Sequence, residues 1–338
     1  MSELFHVSSA PHVRAKTSTQ NVMLWVIIAM LPTACFGIWN FGFRALLLIV
    51  ATVLSCVASE TVYNLIAKKK NTIGDLSAVV TGMILALNFP VTLPIWEAVI
   101  GGIVAIIVVK MLFGGLGQNF MNPALGARCF LLIAFTSDMS NFVTDAYSTA
   151  TPLAELKATN GIIAPWNKYQ LTDMFIGTTP GTIGETSVLF LLIGAAILVA
   201  AKVISLRIPL AYLGSFAVLM FFFGKRGMTI PEIAATGVDF GTLFTQASTY
   251  TLAQLMCGGI MFGAFFMATD YATTPITKKG QIVFGICCGV LTFLFRTIGG
   301  TPEGVSYAII LSNLMVPLIE KITVPRAFGV VKVKKEGK

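Results

Sequence analysis

Ten apolar stretches near the length a helix needs to cross a bilayer make up about half of this 338-residue chain. About 30 Å of hydrocarbon offers no water to backbone N–H and C=O groups, so a spanning segment is a helix of about 20 mostly apolar residues. The runs lie at about 22–38, 44–67, 76–90, 95–113, 123–136, 187–205, 208–223, 254–269, 281–298 and 304–320. Only 11% of the residues are charged, against about a quarter in a soluble domain, so most of the surface is not made for water. The expected fold class is an all-α membrane protein of about ten transmembrane helices. Residues 1–20 are polar and lack an apolar core or a small-residue cleavage site, so no cleavable signal is expected.

An even number of spans puts both termini on one side, and the basic residues say which. With the N-terminus inside, the cytoplasmic segments hold fifteen Lys and Arg and the outer segments six, leaving Lys110 and Arg128 uncounted near helix ends. That bias predicts cytoplasmic termini. It also assigns the net charge of +8 to topology and anionic lipid, not to nucleic acid. The six cysteines lack a CxxC pair and mostly sit in apolar runs, so they read as small buried hydrophobes and no metal site is expected.

The spacing divides the chain into a tail (1–21), five spans (22–136), a polar stretch (137–186), five more spans (187–320) and a basic tail (321–338). A second outer loop is expected over about 224–253. The third and eighth runs match at one constant offset: Gly82, Asn88, Thr92 and Pro94 against Gly263, Thr269, Thr273 and Pro275. One run heads outward and the other inward, so the two halves are expected to be inverted five-helix repeats. Both runs are short, and short, Gly/Pro-interrupted segments at matching positions of two halves point to a site near the bilayer middle. Their broken ends are expected to meet there.

Acids inside a membrane are functional candidates by default. Asp270 sits beside Thr269, Thr273 and Thr274; it is either a hard-cation ligand or an acid at the membrane interface. Glu60, a few residues from Lys68, reads as an interfacial acid near water. Between the fourth and fifth runs a Gly-rich turn carries Gln118, Asn119 and Asn122, then a helix with Arg128 in its first turn. This segment suits an anion or a polar ligand edge, and it also suits a plain helix break with Asn122 as N-cap and Pro123 after it. His6 and His12 both fall in the N-terminal tail, leaving no base for a serine nucleophile in the loops. A hydrolase is not expected.

The polar stretch contains Asp145, Ser148, Thr149, Ala150, Thr151 and Pro152. Asp145-x-x-Ser148-x-Ala150-Thr151 resembles the acceptor motif of flavin transferases, in which the last Thr takes FMN through a phosphoester. Further segments join it in order: Pro11 to Arg14, Asp75 with Ser77 and Gly82, Asn119 to Asn122 with Arg128, and Phe266 to Asp270. Together they resemble the D subunits of Rnf complexes, a family paralogous to the B subunits of the sodium-pumping NADH:quinone oxidoreductases. The family often has Gly where this chain has Thr149.

The resemblance implies a bacterial inner-membrane complex that passes electrons between ferredoxin and NAD and moves Na+ or H+. It implies covalent FMN on Thr151 at the outer face, placed there by a flavin transferase, and partner subunits A, B, C, E and G. It also leaves room for a second, non-covalent flavin such as riboflavin, or an ion path, near Asn88, Asn119, Asn122, Arg128, Thr269 and Asp270. The competing reading is an inverted-repeat transporter or channel without a redox cofactor, which leaves the acceptor motif unexplained.

Overall fold

The computed structural model describes residues 18–69, 71–144, 147–148, 151–158, 170–224, 240–300 and 303–325. Among the described residues the regular structure is helical apart from a two-rung antiparallel ladder, β1 (Val143–Thr144) with β2 (Tyr147–Ser148). Before the ladder come α1 (Thr19–Phe41), α2 (Phe43–Ile66), α3 (Ser77–Leu87), α4 (Ile95–Ile103, continued as a π-helix over Val104–Met111), α5 (Pro123–Ala134) and α6 (Thr136–Met139). After it come α7 (Pro152–Ala158), α8 (Leu171–Ile176), α9 (Val188–Ala200), α10 (Arg207–Phe223), α11 (Phe240–Met256), α12 (Ile260–Phe262, continued as a π-helix over Gly263–Met267), α13 (Lys278–Thr297) and α14 (Val305–Thr323).

Every expected apolar run carries helix, but the lengths differ sharply. Among the described residues, α1, α2, α13 and α14 have the length and hydropathy of a full span, and α11 with α12 makes a fifth that bends by 66°. The helices α3, α5, α9 and α10 are shorter and apolar. Large apolar side chains such as Leu54, Ile133, Leu210 and Leu318 face outward, while Glu60, Lys110, Arg128 and Arg296 are buried. Apolar outside and ionic inside is the arrangement of a multi-pass membrane protein.

Two sequence expectations are corrected here. The eighth run is not one helix over 254–269: it breaks at Cys257–Gly259, where Gly258 adopts φ +68°, a conformation that favours glycine. The expected loop over 224–253 is helical from Phe240 onward, with Ala247, Tyr250, Thr251 and Gln254 buried along one face. The third run, expected over 76–90, is helical only over Ser77–Leu87. Asn88 Nδ2 donates to Ile84 O at 2.6 Å, and Phe89, preceding Pro90, cannot comfortably continue the helix.

Helices approach closely where their contact residues are small, as membrane helices do. A methyl group added at Gly289 of α13 would lie 2.7 Å from Tyr212 O of α10, and one at Gly82 of α3 would lie 2.8 Å from Val53 Cα of α2. Further contacts join α1 to α9 and α5 to α14, so helices that precede the β1–β2 ladder pack against helices that follow it.

Candidate functional site

A cavity of about 230 Å³ opens between α5, α7, α14 and the segment before α9. Thr151 lines it. The Thr151 hydroxyl accepts from Ala154 N at 3.2 Å and so caps α7, with Pro152 in the first helical position. Lys157 Nζ, near the end of α7, donates to Gly299 O in the connection between α13 and α14. The helix that follows Thr151 is thereby anchored to the second half of the chain. Asp145, Thr149 and Ala150 lie outside the described residues, and Ser148 is described as backbone in β2.

Arg128 lies at the polar end of this cavity and is 3% exposed. Its Nη1 donates to Asn88 Oδ1 at 2.6 Å, to Ser306 Oγ at 3.0 Å and to Glu185 Oε1 at 3.1 Å. Its Nη2 donates to Glu303 Oε2 at 2.7 Å. Arg128 is the sixth residue of α5, in its second turn and not its first. The guanidinium is committed to two carboxylates of the chain itself.

Glu303 also accepts from Gly259 N at 2.7 Å, at the break between α11 and α12. A methyl group at Gly259 would collide with Glu185 Oε1 and lie 2.6 Å from Glu303 Oε1, so the residue must be small for the carboxylates to converge. Arg296 of α13 completes the layer. It donates through Nη1 to Gln254 O at 2.5 Å and through Nη2 to Cys257 O at 3.0 Å, satisfying carbonyls that the helix break leaves without partners.

A second cavity, of about 70 Å³, lies at the other end of α5. Asn119, Asn122, Thr269, Asp270 and Lys110 line it. Asn122 caps α5, accepting from Ala124 N at 3.1 Å, and its Nδ2 donates to Met267 O of α12 at 3.3 Å. Both cavities thus touch α5, along which the six residues from Asn122 to Arg128 rise about 9 Å. Asp270 accepts from Ala272 N and from Thr273 Oγ1, each at 3.3 Å. The Thr269 hydroxyl, in the turn after the π-helix, donates back to Phe265 O at 2.7 Å. The residues expected along a second-flavin or ion path therefore separate into two groups. Asn88 hydrogen-bonds Arg128, which lines the first cavity; Asn119, Asn122, Thr269 and Asp270 line the second.

Beside the second cavity, Lys110 Nζ donates to Glu60 Oε2 at 2.7 Å and to Ser77 Oγ at 2.6 Å. Thr72 Oγ1 donates to the other oxygen of Glu60. Glu60 is fully buried, not an interfacial acid near water as its distance from Lys68 suggested. Sequence reasoning also missed Glu185, Glu303 and Arg296. Each sits within a few residues of the end of an apolar run, and in a chain with only fifteen acidic residues that position was the available signal.

The sequence profile of the NQR2, RnfD, RnfE family matches residues 6–329. The chain belongs to this family. It is 44% identical, over 98% of both chains, to the D subunit of the Na(+)-translocating ferredoxin:NAD(+) oxidoreductase complex of Acetobacterium woodii. It is 38% identical, over 96% of both chains, to the D subunit of the proton-translocating ferredoxin:NAD(+) oxidoreductase complex of Clostridium ljungdahlii. A third relative, the D subunit of the ion-translocating oxidoreductase complex of Stutzerimonas stutzeri, is 34% identical over 93% of both chains.

Proposed function

We propose that this family member is the D subunit of an ion-translocating ferredoxin:NAD oxidoreductase and that it carries FMN on Thr151 through a phosphoester bond. The observation that carries the reading is that Thr151, the last residue of the acceptor motif, lines the same cavity as the buried Arg128 cluster. The residues suit the group. Leu132, Met139, Leu153 and Val305 give the cavity apolar walls, and Arg128, Thr182, Glu185, Glu303 and Ser306 give it a polar end. A flat ring with one apolar and one polar edge needs both. Bound flavin supplies one-electron exchange; the protein supplies attachment, orientation and electrostatics.

In this reading Asp145, Ser148, Thr149, Ala150 and Pro152 form the sequence presented to a flavin transferase. Subunits A, B, C, E and G hold the remaining electron carriers and the nicotinamide site. The basic-residue bias supports a bacterial inner-membrane topology with both termini in the cytoplasm and Thr151 at the outer face. The short helices α3 and α12 support two inverted five-helix repeats with the acceptor stretch between them. The second cavity then faces the cytoplasm, where Asn119, Asn122, Thr269 and Asp270 offer oxygens to a cation or polar edges to a neutral flavin such as riboflavin.

The test is covalent flavin itself. Cells containing a flavin transferase should yield a chain that fluoresces yellow in a denaturing gel, with the FMN mass on the peptide carrying Thr151. Thr151→Ala should abolish both signals. Absence of the signal from the wild-type chain sinks the proposal, and transfer of the mass to Thr149 corrects the acceptor.

A further inference from the structure

Arg128 is an unusual group to find beside a cofactor cavity, because its charge is already balanced. Two carboxylates hold it, Glu185 Oε1 at 3.1 Å and Glu303 Oε2 at 2.7 Å, and both line the same cavity. Breaking such a pair is strongly unfavourable, so the guanidinium is fixed in place. One donor is left over: Arg128 Nε is buried and has no hydrogen-bond partner. A buried donor without a partner forfeits its desolvation free energy unless something else meets it. The cluster therefore combines a fixed positive group, an unused donor and an adjoining cavity with apolar walls.

We infer that Arg128, held by Glu185 and Glu303 beside the cavity proposed for the flavin ring, is the positioning cation that sets the ring's reduction potential. The inference rests on Thr151 being the attachment point. In a low-dielectric site a unit charge acts far more strongly than in water. The two carboxylates oppose the guanidinium, so the ring sees a small net field whose sign depends on the balance among the three groups. Neutralising a carboxylate leaves the arginine less opposed and favours the reduced, more negative ring. Exchanging arginine for lysine keeps the charge and disturbs that balance less.

The experiment uses the purified complex. A Thr151→Ala complex identifies which reductive transition belongs to this flavin, and spectroelectrochemical titration then compares wild type, Glu303→Gln, Glu185→Gln and Arg128→Lys. Both Gln variants should raise the reduced-to-oxidised ratio at fixed potential at least tenfold, a shift of 59 mV for one electron. Arg128→Lys should move it less than tenfold. Iodide should quench the wild-type flavin poorly compared with free FMN. In-gel fluorescence reports attachment separately: a dark wild-type chain overturns the attachment reading and this inference with it. A fluorescent chain whose ring is quenched as freely as FMN overturns only the seating in this cavity. A fluorescent Glu185→Gln or Glu303→Gln complex with an unmoved potential overturns the role of the cluster.

Discussion

Lys110 and Arg128 are both buried cations paired with carboxylates, yet they draw on different parts of the chain. Lys110 takes its partners from α2 and the start of α3, all before the β1–β2 ladder. Arg128 takes Asn88 from the end of α3, Glu185 from the segment before α9, Glu303 from just before α14 and Ser306 from its first turn. The first pair stitches one half of the molecule to itself; the second cluster ties the halves together at the point where α11 and α12 break. Arg suits that task, since its fork of five N–H donors meets several acceptors at once, whereas an ammonium is a compact point charge. A buried ion pair in one half is a local device, and one built across both halves is a device of assembly.

The largest expected effect follows from removing the cross-half cation. Arg128→Met leaves two carboxylates buried without their partner, which should destabilise the protein by about 3–5 kcal/mol. Thermal unfolding in detergent and the yield of assembled complex measure it. Recovery should require Glu185→Gln and Glu303→Gln together. Full rescue by one of them alone would mean that a single carboxylate depends on Arg128, and the contrast with Lys110 would collapse.

Lys110→Met should be milder, about 3 kcal/mol, because only one carboxylate loses its cation and the Thr72 hydroxyl still donates to it. Here one further change should suffice: Glu60→Gln in the same chain removes the unpaired charge and restores most of the stability. The same melting measurement checks it. A double variant as unstable as Lys110→Met would show that the lysine contributes through packing and not through its pair with Glu60.

These two clusters also show what the sequence could reveal. The apolar runs, the short third run and the cap at Asn122 follow from local rules, and the structure has them where those rules put them. Arg128 was visible as a candidate, but its acidic partners lie 57 and 175 residues away, and nothing local names them. The helix α11 was obscured by its own composition. Its Thr245, Ser248 and Thr249 hydroxyls donate to Gly241 O and Thr245 O of the same helix, so a stretch that reads as polar loop satisfies its own polar groups. Thr151 stood out only through the acceptor motif; its place on the Arg128 cavity comes from the fold of α7 against the second half.

Asp270 gives the finest test of the contrast, since it lines the smaller cavity and has no cationic partner among the described residues. Its carboxylate accepts only from Ala272 N and Thr273 Oγ1, bonds that an asparagine oxygen can also accept. Asn119 Oδ1, on the same cavity, is buried with no hydrogen-bond partner. A carboxylate without a cation and an amide oxygen without a donor are what a hard cation would satisfy together. Negative charge arriving on a flavin in the membrane would raise cation affinity there and its departure would lower it, a coupling free energy between two sites. Asp270→Asn should therefore change stability by no more than about 0.5 kcal/mol, the range of a substitution that breaks no pair, while leaving intact the flavin attachment proposed at Thr151. Its effect should appear in the Na+ dependence of ferredoxin:NAD turnover by the purified complex, as a raised half-saturation or a lowered maximal rate. Unchanged values of both would make Asp270 an interfacial acid, and coupling would have to be sought at the Arg128 cluster instead.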